Sequence, residues 1–171
     1  MEDGMTLLSQ KGYTLVETMT VMAIMASLSA VGLTTFSTQR AHHHLTDASR
    51  QVISDLRLVR QRAITEGVAG PVLFDPDGRK YVLPGLGERT LPPQVRFGLR
   101  EEVPALADAV RPDDGISFRE NALTFQPNGT ITGLGGAVYL IHDSVQNEAV
   151  AVSVITTGRV KIRRWNGNAW R

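Results

Sequence analysis

Lys11-Gly12-Tyr13-Thr14-Leu15-Val16-Glu17 leads directly into Thr18-Met19-Thr20-Val21-Met22-Ala23-Ile24-Met25-Ala26-Ser27-Leu28-Ser29-Ala30-Val31-Gly32-Leu33-Thr34-Thr35-Phe36, a run that is apolar or small almost throughout. Its length approaches that of a helix crossing a bilayer, which needs about 20 such residues. Glu17 is the exception. A carboxylate inside such a helix costs roughly 2.5 kcal/mol or more, so its presence asks for a function. A secretory signal peptide would carry a basic n-region, a shorter apolar core and a small-residue cleavage site beyond it. Here Glu2 and Asp3 precede a lone Lys11, and the weak Ser27-Leu28-Ser29 site would cut inside the run. A plain membrane anchor accounts for the length but for neither Glu17 nor the Lys11-Gly12 pair.

Working outward, the helical pattern continues. Leu45, Ala48, Val52, Leu56, Val59 and Ala63 recur at three- and four-residue spacing, while Arg50, Asp55, Arg57, Arg60, Gln61 and Arg62 fill much of the remaining surface. Gly67 is the expected stop. His42, His43 and His44 sit on this helix about 100° apart, so they cannot converge on one ion; a solvated face is expected, as for the lone His142.

After Gly67 the texture becomes short β-like runs between turn residues. Val72-Leu73-Phe74 and Tyr81-Val82-Leu83 flank Asp75-Pro76-Asp77-Gly78 and read as a hairpin. Pro84 to Gly115 reads as a loop-rich middle. Then come Ile116–Phe118, Leu123–Phe125, a turn at Pro127-Asn128-Gly129, Ile131, Val138–Ile141, and a final pair, Ala149–Ile155 and Arg159–Trp165, joined by Thr156-Thr157-Gly158. The expected fold class is α+β: a long N-terminal helix packed on antiparallel β-sheets of a C-terminal globular head. The divisions are 1–12, 13–36 for the apolar half of the helix, 37–67 for its amphipathic half, and 68–171 for the head.

Composition limits the chemistry. The chain has 171 residues, a formal net charge of +1 and no cysteine, which removes disulfides, thiolate metal sites and cysteine nucleophiles, and leaves no global polycation. Ser144 and Ser153 lack a nucleophile elbow, the glycines from Gly129 to Gly136 lack a phosphate-loop lysine, and Asp75 and Asp77 read as turn residues. Asp113 and Asp114 show no spacing for a calcium ligand set. No enzyme, metal or cofactor is expected. The local exception in charge is the last strand, where alternation puts Arg159, Lys161, Arg163 and Trp165 on one face and Val160 and Ile162 on the other; Arg164 breaks the pattern. No acidic residue follows Val150. Such a strand can hold phosphates, or can be a charged edge that resists pairing.

The N-terminal stretch resembles the processing motif of type IV pilins and type II secretion pseudopilins. The resemblance implies a leader of residues 1–12, cleavage between Gly12 and Tyr13 by prepilin peptidase, N-methylation of Tyr13, and a role for Glu17 in filament assembly, pairing with the amino terminus of a neighbouring subunit. Tyr13 stands where phenylalanine is commoner, and the apolar helix lacks the proline of many major pilins. Asp55–Ile64, Phe74–Gly78, Leu123–Gly129 and Gly158-Arg159-Val160-Lys161 resemble the GspH/FimT branch of that superfamily. This implies a minor pilin or minor pseudopilin at or near a filament tip, held by one pass in the bacterial inner membrane with its head in the periplasm. Other pilins or pseudopilins would be its partners. FimT-like minor pilins of naturally competent bacteria bind DNA through Gly-Arg-x-Arg; Gly158, Arg159 and Lys161 match it with lysine for the second arginine, and Arg163 and Arg164 extend the candidate DNA surface.

Overall fold

The computed structural model describes residues 13–106 and 111–171, and for residues 30–39 the backbone alone. Its elements are helix α1 (Leu15–Glu66), strands β1 (Gly70–Asp75), β2 (Lys80–Leu83), β3 (Gly87–Thr90) and β4 (Val95–Phe97), a 3-10 turn at Arg119–Asn121, then β5 (Ala122–Phe125), β6 (Gly136–His142), β7 (Ala149–Val154) and β8 (Val160–Trp165). The chain divides into two units, Met1–Ser37 and Thr38–Arg171.

Both ends of α1 carry recognisable signals. Thr14 is the N-cap: its Oγ1 accepts the Glu17 backbone N–H at 3.2 Å. Thr14-Leu15-Val16-Glu17 therefore has the spacing of a capping box. At the other end Gly67 takes φ +68°, the left-handed conformation that turns a chain out of a helix.

The second unit is built on the apolar stripe of α1. Leu45, Ala48, Val52, Leu56, Val59 and Ala63 are all buried in one core. The strands form two antiparallel four-stranded sheets, ordered β3-β2-β1-β5 and β4-β6-β7-β8. Both contribute to that core: Val72, Phe74, Tyr81, Leu123 and Phe125 from the first, Val95, Phe97, Val138, Leu140, Val152 and Val160 from the second. Tyr81 points its hydroxyl at α1, donating to Asp55 Oδ2 at 2.6 Å. Burial, then the Asp55 carboxylate, push this phenol far above its ordinary range, so it remains a donor.

The second sheet is also covered on its outer face. Ala137, Tyr139 and Ala151 pack there against Leu99, Ala105, Leu106 and Trp170. Tyr139 accepts the Leu106 N–H at its hydroxyl, 2.9 Å away. A sheet buried on both faces loses strict polar alternation, which is why β6 reads as a nearly continuous apolar run.

Two strands were not expected. β3 and β4 lie inside the segment read as loop, Pro84–Gly115. β3 is Gly-Glu-Arg-Thr, exposed at every position, and pairs with β2 through Lys80↔Thr90 to Leu83↔Gly87. β4 is three residues long, paired to β6 by Val95↔His142 and Phe97↔Leu140. Neither is long or apolar enough to announce itself. Conversely, Ile116–Phe118 makes only an isolated bridge, Ile116↔Val138. His142, expected to be solvated, is 1% exposed.

Candidate functional site

At the start of α1, Glu17 lies in the first turn, where the helix dipole favours a negative charge. Every side chain from Tyr13 to Ser29 is exposed, among them Leu15, Val16, Met19, Met22, Met25 and Leu28. The Glu17 carboxylate makes no hydrogen bond or ion pair among the described residues. The hydroxyls of this stretch turn back on the helix: Thr18 donates to Leu15 O, Thr20 to Val16 O, Ser27 to Ile24 O and Ser29 to Met25 O, each at 2.8 Å. These four hydroxyls therefore need no water. Among the described residues, no helix is long and apolar enough to cross a membrane; of the span expected over 13–36, the side chains from residue 30 onward lie outside the described residues. Gly12 and the rest of the expected leader lie outside the described residues.

The second place is β8, the last strand of its sheet, paired with β7 in register Ala151↔Arg163, Val152↔Ile162 and Ser153↔Lys161, and at its end with the returning C-terminal residues, where Arg164 and Arg171 exchange backbone hydrogen bonds at 2.8 and 2.9 Å. The alternation read from sequence holds. Val160 and Ile162 face the common core, and Arg159, Lys161 and Arg163 point the other way. No hydrogen bond or ion pair engages these three cationic side chains among the described residues. Arg164 separates from them. It shares the inward parity, and its Nη2 donates to Thr46 Oγ1 on α1 at 3.1 Å. The four candidate cations are thus three on one face and one tied to the helix.

The aromatic neighbours are also spoken for. Trp165 lies 5.7 Å from Trp170, ring centre to ring centre, and Trp170 Nε1 donates to Pro104 O at 2.9 Å. These rings fasten the 99–106 segment to the sheet rather than standing free for a base.

What places Arg159 is a joint that periodicity does not reveal. The turn after β5 and the turn between β7 and β8 meet at Arg60 of α1, whose Nε donates to Gly129 O at 2.9 Å and whose Nη2 reaches Thr157 O at 3.5 Å. Gly158, at φ +73°, passes so close that a Cβ there would lie 1.9 Å from Gly129 O. The signal for Arg60 was its place in the basic helical segment Asp55–Ile64, but its partners are 69 and 97 residues away.

Elsewhere the polar residues are structural. Asp75 Oδ1 accepts the Gly78 N–H, and Asp114 spends its two oxygens on the Ile116 N–H and on Asn121 Nδ2. Among the described residues, no group of three or more His, Asp or Glu side chains is arranged to hold a metal ion.

Residues 7–33 match the family described as prokaryotic N-terminal methylation motif, and residues 48–158 match that described as type II transport protein GspH. No curated protein matches by sequence. Among solved structures, the chain is similar to the type IV minor pilin FimU of Pseudomonas aeruginosa, at 15% identity over 76% of this chain and 94% of that one, with a TM-score of 0.51. It is also similar to the minor pseudopilin EpsH of the Vibrio cholerae type 2 secretion system, at 17% identity over 70% of this chain and 94% of that one, with a TM-score of 0.47. With well over half of its residues inside the second match and the methylation motif ahead of it, the chain belongs to the GspH family of pilin-like proteins.

Proposed function

We infer that this chain is a minor, non-enzymatic subunit of a pilus-like filament. Prepilin peptidase removes residues 1–12 between Gly12 and Tyr13 and methylates the new amino terminus at Tyr13. The apolar part of α1 holds the precursor in the inner membrane in a single pass, with the head in the periplasm, and then enters the filament core among other pilins or pseudopilins. The position is at or near the tip of a type II secretion pseudopilus or a type IV pilus.

The observation that carries this reading is the start of α1: a capped helix whose side chains are exposed from Tyr13 to Ser29, on which Thr18, Thr20, Ser27 and Ser29 satisfy their hydroxyls internally, and whose one carboxylate has no partner among the described residues. Such a surface is suited to lipid or to other helices. An unpaired carboxylate there is relieved by a cation from a neighbour, and the amine released at Tyr13 is the cation one helical turn away in an adjacent subunit. The capping-box position gives Glu17 a rival, purely local role. The two are separated by Glu17→Gln, since glutamine also serves at that position of a capping box but carries no charge. Co-assembly with the other filament subunits in cells should be lost in both Glu17→Gln and Glu17→Ala, with the head still folded. Normal incorporation of Glu17→Gln would leave only the cap.

A second reading rests on Arg159, Lys161 and Arg163. Three cations on one face of β8, without acidic partners among the described residues, form a surface for a phosphate backbone, and DNA is the ligand it would take. The fixed tryptophans limit that contact to charge.

A further inference from the structure

The β6–β7 loop, residues 143–148, is held to α1 at both ends by histidine. At its far end Glu148 Oε2 makes a short contact with His42 Nδ1. At its near end the ring of His142, on β6, lies 6.1 Å from the ring of His44, tilted by 58°. His43, between the two helical histidines, is exposed.

His142 has an unusual hydrogen-bonding state. Its Nδ1 accepts the Ser144 backbone N–H at 3.1 Å. An accepting Nδ1 carries a lone pair, so the neutral ring holds its proton on Nε2. That Nε2, and Nδ1 of His44, are buried and have no hydrogen-bond partner. The basic atom of His142 is therefore already occupied. A proton arriving there would face the Ser144 N–H head-on, break that bond, and create a cation beside a second imidazole in a buried place.

The groups around it do not offset this. From α1 come His44 and His42, the latter engaged with Glu148. Asp143 is drawn to Arg96 of β4 at 3.0 Å and to Arg79 at 4.0 Å. Arg100 presents its Nη2 to the carbonyls of His142 and Val145, at 2.9 and 3.1 Å. Cations thus outnumber free carboxylates at the loop. Burial first, then His44, hold the His142 ring below the ordinary histidine value, against the pull of Asp143.

We propose that His142 and His44 form an acid-released catch, which fastens the near end of the β6–β7 loop at neutral pH and frees it on acidification, the far end staying with the contact between His42 and Glu148. The direction follows from linkage. A base that is harder to protonate when closed binds its proton better when open. Closure is complete above the ordinary histidine value of about 6.5 and weakens as pH falls through and below it.

Hydrogen exchange of the full chain in detergent micelles tests this, with rates corrected for the intrinsic effect of pH. Protection of the Ser144 amide, which His142 Nδ1 accepts, and of the neighbouring Val145 amide should fall about tenfold or more between about pH 7.5 and about pH 5. His142→Asn places a non-titrating oxygen where Nδ1 was, so the Ser144 bond survives and the fall should disappear; His43→Asn should keep it. A fall of the same size in His142→Asn, or no fall in the native chain, would overturn the catch. If His142→Asn does not fold, NMR titration of the native His142 ring decides. A midpoint below the ordinary value, tracked by the Ser144 amide, supports the proposal, and an ordinary or untracked midpoint defeats it. Repeating the exchange with a chelator closes the remaining route, because a response that changed with chelator would belong to a metal ion instead.

Discussion

Gly158 shows how little freedom a single position can have. Its φ of +73° lies in the left-handed region, and the nearest atom to an added Cβ is a backbone oxygen that cannot swing away. Gly158→Ala should cost about 1–3 kcal/mol, read as a lowered denaturant midpoint of the full chain, because strain and the clash with Gly129 O act together. The same change loosens the Arg60 joint, so amide exchange in both turns, 126–129 and 155–158, should rise together. The sequence marked Gly158 as a turn residue and Arg159 as the start of a basic row. It could not mark Arg60 as their common anchor, because a hydrogen bond spanning most of a domain leaves no local pattern. Arg164 was illegible for the same reason. Its neighbours in sequence put it in a basic run, and only Thr46, 118 residues away, draws it aside.

Helix α1 was the most legible element, because its periodicity, N-cap and terminal glycine agree with one another. Leu56 is 0% exposed and touches the core shared by both sheets, whereas Leu58, two residues on, is half-exposed. Leu56→Ala should therefore destabilise the head by about 2–5 kcal/mol, and Leu58→Ala by less than about 0.5, in parallel denaturation curves. Equal costs would mean that the helix face had been assigned wrongly. The hairpin of β1 and β2 was legible from Asp75-Pro76-Asp77-Gly78, where Asp75 caps the turn as its type suggests. Strands β3 and β4 were not. One has no buried side chain to create an alternation, and the other owes its place to pairing with β6. The histidines were misjudged on similar grounds. Spacing on a helix correctly excludes a shared ion for 42, 43 and 44, but it cannot say that His142 will arrive from another strand to meet one of them.

For the molecule as a whole the charge is nearly balanced, and the β8 row is the place where the second reading puts nucleic acid. Binding of full-length protein in detergent to duplex DNA should weaken steeply with added salt, and Arg159→Glu, Lys161→Glu and Arg163→Glu together should abolish it. Arg164→Glu alone should change it little, since that side chain belongs to the helix contact. Absence of binding at low salt in the native chain would leave a purely structural filament subunit. The architecture also separates what must be kept from what can change. Arg159, Lys161 and Arg163 stand on the side of β8 turned from the common core, while the strand is held by its inward groups, by its backbone and, at its end, by Trp165 against Trp170. Mutational drift can thus rewrite the outward row without retuning the core. Descendants of one scaffold can diverge in what they touch long before they diverge in shape.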